Sequence, residues 1–222
     1  MPSAGDISEV KIISYYFGTI QALLERYRFG LERRLYGSPD QWKKKNPYRP
    51  PHNEVRIHFV CPLISKTKAK NWDTVCLNLS RTVAALRNQT DSRWTATITS
   101  QIQPHGVEFD DQVKFLPYNI AADAKTSDKL PKLRALIRNM AREERCDGYI
   151  FFLDGDDIPH PRLVEYMISK NNGHGYYIEQ GYLVDFANKK AIPYGIPPNE
   201  DYPFYELNGS VTAIRIDLRK SK

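Results

Sequence analysis

Few cysteines, no long apolar run and no secretion-like leader narrow what this chain can be. Its three cysteines, Cys61, Cys76 and Cys146, lie far apart, form no CxxC pair and leave an odd count. That excludes a disulfide framework and a cysteine zinc site, so buried thiols are expected. The longest largely apolar stretch, Ile12 to Leu24, is broken by Ser, Tyr, Thr and Gln and runs about 13 residues, against the roughly 18–20 a membrane span requires. No transmembrane helix is expected. The amino terminus has no charged region leading into an apolar block and a small-residue cleavage site, which predicts a cytoplasmic protein. Nor does any segment repeat at a period of 20 to 50 residues, which argues against a solenoid or propeller.

What is present predicts a folded chain. The 222 residues are 41% hydrophobic and 12% aromatic, enough apolar surface to offset chain entropy and to build one core with an appendage. A net charge of +6 points to anionic partners such as phosphorylated small molecules, nucleic acid or an acidic membrane face. Val10, Ile13, Phe17, Ile20, Leu24, Tyr27 and Leu31 recur at spacings of three and four, which predicts an amphipathic helix from about Ile7 to Leu35. Packing on the main domain is the ordinary use of such a stripe. Self-association or peripheral membrane contact is the alternative, since Arg26, Arg28, Arg33 and Arg34 suit anionic lipid while Glu25 and Glu32 dilute them. The proline- and lysine-rich stretch from Lys43 to Pro51 reads as a linker. Residues 1–54 are therefore read as an N-terminal helical arm and linker, and 55–222 as the main domain.

In that domain strand-like and helix-like stretches alternate. Strands are expected at Val55–Ile64, Trp94–Thr99, Val113–Leu116, Tyr149–Leu153, Tyr176–Asp185 and Ser210–Ile216. Helices are expected at Asp73–Asn88, Lys129–Arg145 and from beyond Pro159 to Lys170. This order predicts an α/β fold with a mostly parallel sheet flanked by helices.

The segment richest in chemistry is Tyr149-Ile-Phe-Phe-Leu-Asp154-Gly155-Asp156-Asp157-Ile158-Pro159. An apolar strand runs into three carboxylates at its carboxyl end, where open α/β sheets place ligands. Carboxylates on either side of a small residue can converge on a hard cation, and magnesium or manganese takes carboxylate and phosphate oxygens together. The plainer alternative is an Asp-Gly turn with Asp157 capping the next helix. Clustered like charges repel unless a cation compensates, which favours the metal. Lys66, Lys68 and Lys70, and Lys125, Lys129, Lys132 and Arg134, are candidate phosphate partners, although surface lysines are more often simply solvated.

On these residues the chain resembles the family-2-like glycosyltransferases of the GT-A (Rossmann-like) fold over roughly Val55 to Ile216. The resemblance rests on the opening strand ending at Cys61-Pro62, on Asn88-Gln89-Thr90 with Trp94, and on Asp154-Gly-Asp156-Asp157 followed by Pro161 and Leu163. Asp128-Lys129, Gly175-Tyr176-Tyr177, Gly181-Tyr182 and Phe204 to Ser210 are similar to landmarks of a bacterial subset. The resemblance implies a nucleotide-diphospho-sugar donor and an Mn²⁺ or Mg²⁺ cofactor. It further implies donor contacts from Pro62, from Lys129 to the diphosphate and from Asp154 to the ribose or diphosphate, with Asp156 and Asp157 holding the metal. The acceptor, a saccharide, lipid or protein, is left open. Thr99-Ser100-Gln101 stand where many relatives carry a base-recognising Asp, so uridine does not follow. The stretch after Asp157 is short for the family, so a minimal or truncated enzyme is expected.

A catalytic base is not singled out. Glu179, Asp201, Glu206 and His174 are the candidates, and His160 is a further group that follows the acidic cluster. Three other readings compete. A haloacid-dehalogenase-like phosphohydrolase would use Asp154 as nucleophile, with Ile158 at its Thr or Val position. A basic nucleic-acid-binding module fits the charge but lacks a recognisable motif. An inactive GT-A-like domain would keep the donor pocket alone.

Overall fold

A computed structural model of the protein describes residues 50–118, 129–143, 147–186, 188–196, 204 and 209–217. The expected N-terminal helix and most of the linker lie outside them, as do Lys125, Asp128, Cys146, Asp201 and Glu206.

Among the described residues the elements run β1 (Arg56–Pro62), α1 (Trp72–Arg87), β2 (Trp94–Ser100), β3 (Val113–Pro117), α2 (Lys129–Glu143), β4 (Asp147–Phe152), α3 (Leu163–Lys170), β5 (Gly175–Tyr177), β6 (Gly181–Asp185), β7 (Lys190–Tyr194) and β8 (Thr212–Asp217). Six strands form one sheet in the order β3-β2-β1-β4-β8-β5. β3, β2, β1 and β4 pair in parallel, whereas β8 is antiparallel to both β4 and β5. Five strands thus run one way and β8 runs back between two of them. The fold is mixed α/β with a mostly parallel sheet flanked by helices. The chain winds outward from β1 through β2 to β3 and then crosses to β4 on the other side of β1. The strand order therefore reverses at β1, which makes the carboxyl ends of β1 and β4 a topological switch point.

Alternation along the strands sorts the core into two layers. Ile57, Phe59, Cys61 and Leu63 of β1 and its extension pack with Tyr149, Phe151 and Leu153 against Leu79, Val83 and Leu86 of α1 and Val164 and Met167 of α3. Val60 and Ile150 point to the opposite layer, against Leu136 and Met140 of α2. The α1 stripe Cys76, Leu79, Val83, Leu86 has the three-and-four spacing of one buried helix face. Asn71 caps α1 by accepting the Thr74 N–H at 3.1 Å, and the Asn88 N–H closes it on the Ala84 carbonyl. α3 ends where Asn171 takes the left-handed conformation, a φ of 34° that Asn tolerates better than most residues.

One expectation is corrected. Tyr176–Asp185 is two strands in two sheets: β5 belongs to the main sheet, whereas β6 pairs, among the described residues, with β7 in a separate hairpin. The chain peels away at Ile178–Gln180, where the Glu179 carbonyl accepts the Phe204 N–H and Gly181 lies under the Phe204 ring, leaving no room for a Cβ. β7, which the sequence reading lacks, carries Pro193, a residue that strands tolerate at edges.

Candidate functional site

Alternation decides where the acidic corner points. Leu153 continues the ladder, its N–H donating to the Val60 carbonyl, and its side chain joins the α1 layer. Asp154, one residue on, faces the α2 layer and meets the first residue of α2. Lys129 Nζ lies 2.6 Å from Asp154 Oδ1 and 2.9 Å from Oδ2. Behind the carboxylate, the Asp154 N–H donates to Ser210 Oγ at 2.6 Å. Gly209 sits on the pair so closely that a Cβ there would be 2.9 Å from Asp154 Oδ2 and 3.3 Å from Lys129 Nζ. β8, the antiparallel strand, thus closes the site from the side opposite β1.

Gly155 falls on the other face, and its role is packing rather than freedom. A Cβ would come within 2.6 Å of Leu63 Cδ1 and 3.6 Å of Cys61 Sγ and Leu79 Cδ1. The chain then turns, with the Asp157 N–H donating to the Asp154 carbonyl at 3.3 Å. Asp156 is exposed and Asp157 half-buried. Beneath them the buried Cys61 thiol is pushed well up, chiefly by desolvation and then by the negative charge of Asp154 and Asp156, so it stays a neutral packing group.

Of the other residues singled out, Pro62 is buried at the end of β1, in register with Thr99 of β2. Lys66, Lys68 and Lys70 are exposed on the loop after β1, at the same edge of the sheet as Asp154. Thr99 and Ser100 turn their hydroxyls to backbone carbonyls, of Leu116 at 2.7 Å and Ile64 at 3.4 Å. Lys132 is fully buried, with Nζ 2.6 Å from the Leu63 carbonyl and 3.0 Å from Ser65 Oγ, so it does not belong with the solvated lysines.

The base candidates separate by position. The Ile178 N–H donates to the Val211 carbonyl, which puts half-buried Glu179 at the Ser210 end of β8, the end that holds Asp154. His174 lies at the other end: its carbonyl accepts the Arg215 N–H, and Arg215 is level with Tyr149. That is five residues along β4 from Asp154, about 16 Å at roughly 3.3 Å per residue. His160 also lies away from the corner. Its carbonyl accepts from Gln89 beyond the end of α1, and its Nδ1 accepts the Arg162 N–H. Sequence reasoning missed Gly209 and Ser210 as contacts of the acidic corner. Only the Gly-Ser pair opening the last strand could have signalled them.

Asp156 and Asp157 are the other two carboxylates of the corner, beside the Lys129–Asp154 pair. Among the described residues no three His, Cys, Asp or Glu side chains gather closely enough to form a metal cage of protein groups alone. That fits magnesium or manganese only as these ions usually sit, on one or two carboxylates with substrate phosphates completing the shell. Among the described residues no helix is long and apolar enough to cross a membrane. Neither a family model nor a curated protein matches the chain.

Proposed function

We propose that the chain is a GT-A-like, metal-dependent glycosyltransferase that moves a sugar from a nucleoside-diphosphate donor to an acceptor hydroxyl. The observation that carries the reading is the Lys129–Asp154 pair at the carboxyl end of β4, beside the switch point between β1 and β4. Its energetics suit exchange with a ligand. Both side chains are partly exposed, 46% and 31%, so the pair is worth no more than about 1 kcal/mol. A diphosphate can therefore draw the ammonium away at little cost, because charge-assisted contacts to phosphate are at least as strong. Asp154, released from Lys129, is then free to accept from the donor ribose.

Asp156 and Asp157 would hold Mn²⁺ or Mg²⁺, with diphosphate oxygens as the remaining ligands. When bound, the cation neutralises charge that develops on the leaving diphosphate. Lys129 adds a second positive charge from the α2 side, and Ser210 fixes the Asp154 backbone so that the corner need not reorganise. Pro62 borders the donor from the end of β1. Of the described candidates, Glu179, at the same edge, would take the acceptor proton if the transfer inverts.

The test is a thermal-shift screen of nucleoside diphosphates with and without manganese. A ligand at a hundred times its Kd stabilises by about 2.7 kcal/mol. At roughly 2–4 °C per kcal/mol for a chain of this size, that raises Tm by about 5–10 °C. The shift should require manganese and disappear in Asp156→Ala. No shift with any nucleotide, or trapping of a phosphoryl group on Asp154, would overturn the reading.

A further inference from the structure

Lys132 stands where an apolar residue belongs. It shares the buried stripe of α2 with Leu136 and Met140 at i, i+4 spacing, and it is 0% exposed. Lysines are almost never fully buried unless paired, because the ammonium loses its hydration. Its Nζ donates to the Leu63 carbonyl at 2.6 Å and to Ser65 Oγ at 3.0 Å. The Ser65 carbonyl in turn accepts the N–H groups of Lys68 and Ala69, at 2.9 and 3.0 Å, so Ser65 is the pivot of the loop that leaves β1. One turn earlier on the same helix, Lys129 holds Asp154. The first turn of α2 therefore ties together the ends of β1 and β4, the two strands at which the strand order reverses.

We infer that Lys132 is a positioning residue for the donor site: it holds the loop 63–69, and the exposed Lys66 and Lys68 on it, at a fixed place relative to Asp154. The inference rests on the glycosyltransferase reading for its ligand, but its structural half stands on the loop itself. An apolar residue of similar length would complete the stripe of Leu136 and Met140, but it would leave the Leu63 carbonyl and the Ser65 hydroxyl without the ammonium's hydrogen bonds.

The experiment compares wild type with Lys132→Met by amide hydrogen exchange, by global unfolding and by nucleoside-diphosphate affinity in manganese. The Lys68 and Ala69 amides should exchange about tenfold faster, the loss expected when a charge-assisted hydrogen bond goes. The unfolding midpoint should fall slightly, because the buried Leu63 carbonyl and Ser65 hydroxyl lose a donor, and the affinity should fall about tenfold, as expected of a similar free-energy loss. Unchanged loop exchange overturns the inference. So does acceleration spread evenly over β1 and α1 and no larger in the loop, which would make Lys132 a stability element only. If Lys132→Met does not fold, Ser65→Ala removes the hydroxyl partner and the same loop amides decide. If wild type binds no nucleoside diphosphate, the functional reading fails, and the exchange arm still decides whether Lys132 holds the loop.

Discussion

Removing the Asp147 carboxylate should cost the protein a large part of its stability while leaving its candidate site intact. Asp147 opens β4 with a fully buried side chain, and Arg215 of β8 meets it in a fork, Nε to Oδ1 at 3.0 Å and Nη2 to Oδ2 at 2.9 Å. The His52 N–H adds a third contact to Oδ2 at 2.8 Å. In Asp147→Ala the guanidinium, with its side chain only 9% exposed, stays buried without its main counter-charge. Breaking such a pair from one side costs about 3–5 kcal/mol. Asp217, 3.8 Å from the same Nη2, offers partial compensation. The lower end, about 3 kcal/mol, is therefore expected, a Tm loss of about 6–12 °C. Circular dichroism during thermal or urea unfolding measures it. The double variant Asp147→Leu with Arg215→Met removes both charges and should recover most of the loss, since a hydrophobic replacement of both partners is often neutral. Asp147 lies seven residues along β4 from Asp154, about 23 Å at the strand rise. Ligand affinity well below Tm should not change. A single variant within about 1 kcal/mol of wild type, or a double variant no better than the single, would refute the assignment of this pair as a buried tie between β4 and β8.

Two further outcomes follow from the same geometry. Gly209→Ala places a methyl against the Lys129–Asp154 pair; Lys129 is exposed enough to swing aside, so Tm should move little while the manganese-dependent nucleotide shift shrinks, and an unaltered shift would show that Gly209 does not border the ligand. Burial raises the ionisation of Tyr149, Tyr176 and Cys61 above their ordinary values of 10.0, 10.0 and 9.0. The unfolded chain therefore loses these protons first, so their contribution is complete below about pH 9 and declines above it, by about 1.4 kcal/mol per pH unit for each group past its unfolded pKa. Unfolding midpoints taken from pH 8 to 11 should fall, less steeply in Tyr149→Phe, and a flat profile would contradict the burial assigned to these groups.

How much of this was legible in the sequence depended on whether a feature was local. Helix α1 could be read because its stripe, its Asn71 cap and its Arg87 end lie within one stretch. The apolar run Tyr149–Leu153 ending in Asp154 announced a strand with a polar edge, and the alternation of strands and helices announced the mostly parallel sheet. What escaped was decided by distant partners. Tyr176–Asp185 has continuous strand propensity, and only the packing of Phe204 and Gly195 against the 179–181 segment divides it between two sheets. Lys132 looked like its neighbours Lys129 and Arg134, because nothing within α2 reveals that Leu63 and Ser65 wait opposite that position. Ser210 and Gly209 reached the site through β8, which returns from 56 residues away to place Ser210 on the Asp154 amide.

The acidic corner itself is governed by a parity rule that the motif does not show. In a strand, neighbouring residues face opposite layers, so the end of β4 must hand one residue to α2 and the next to α1. Asp154 has the α2 parity and finds Lys129; Gly155 has the α1 parity and finds Leu63, Cys61 and Leu79. Shifted by one position, the carboxylate would enter that apolar layer, where an unpaired charge costs several kcal/mol, and the small residue would leave Lys129 without the Asp154 carboxylate. Gly155 also lets the chain bend over the core tightly enough to keep Asp156 and Asp157 at the sheet edge, because any side chain there would push Leu63 aside. The order of acid, glycine and two acids is thus a packing solution at the carboxyl end of β4, whatever the corner binds.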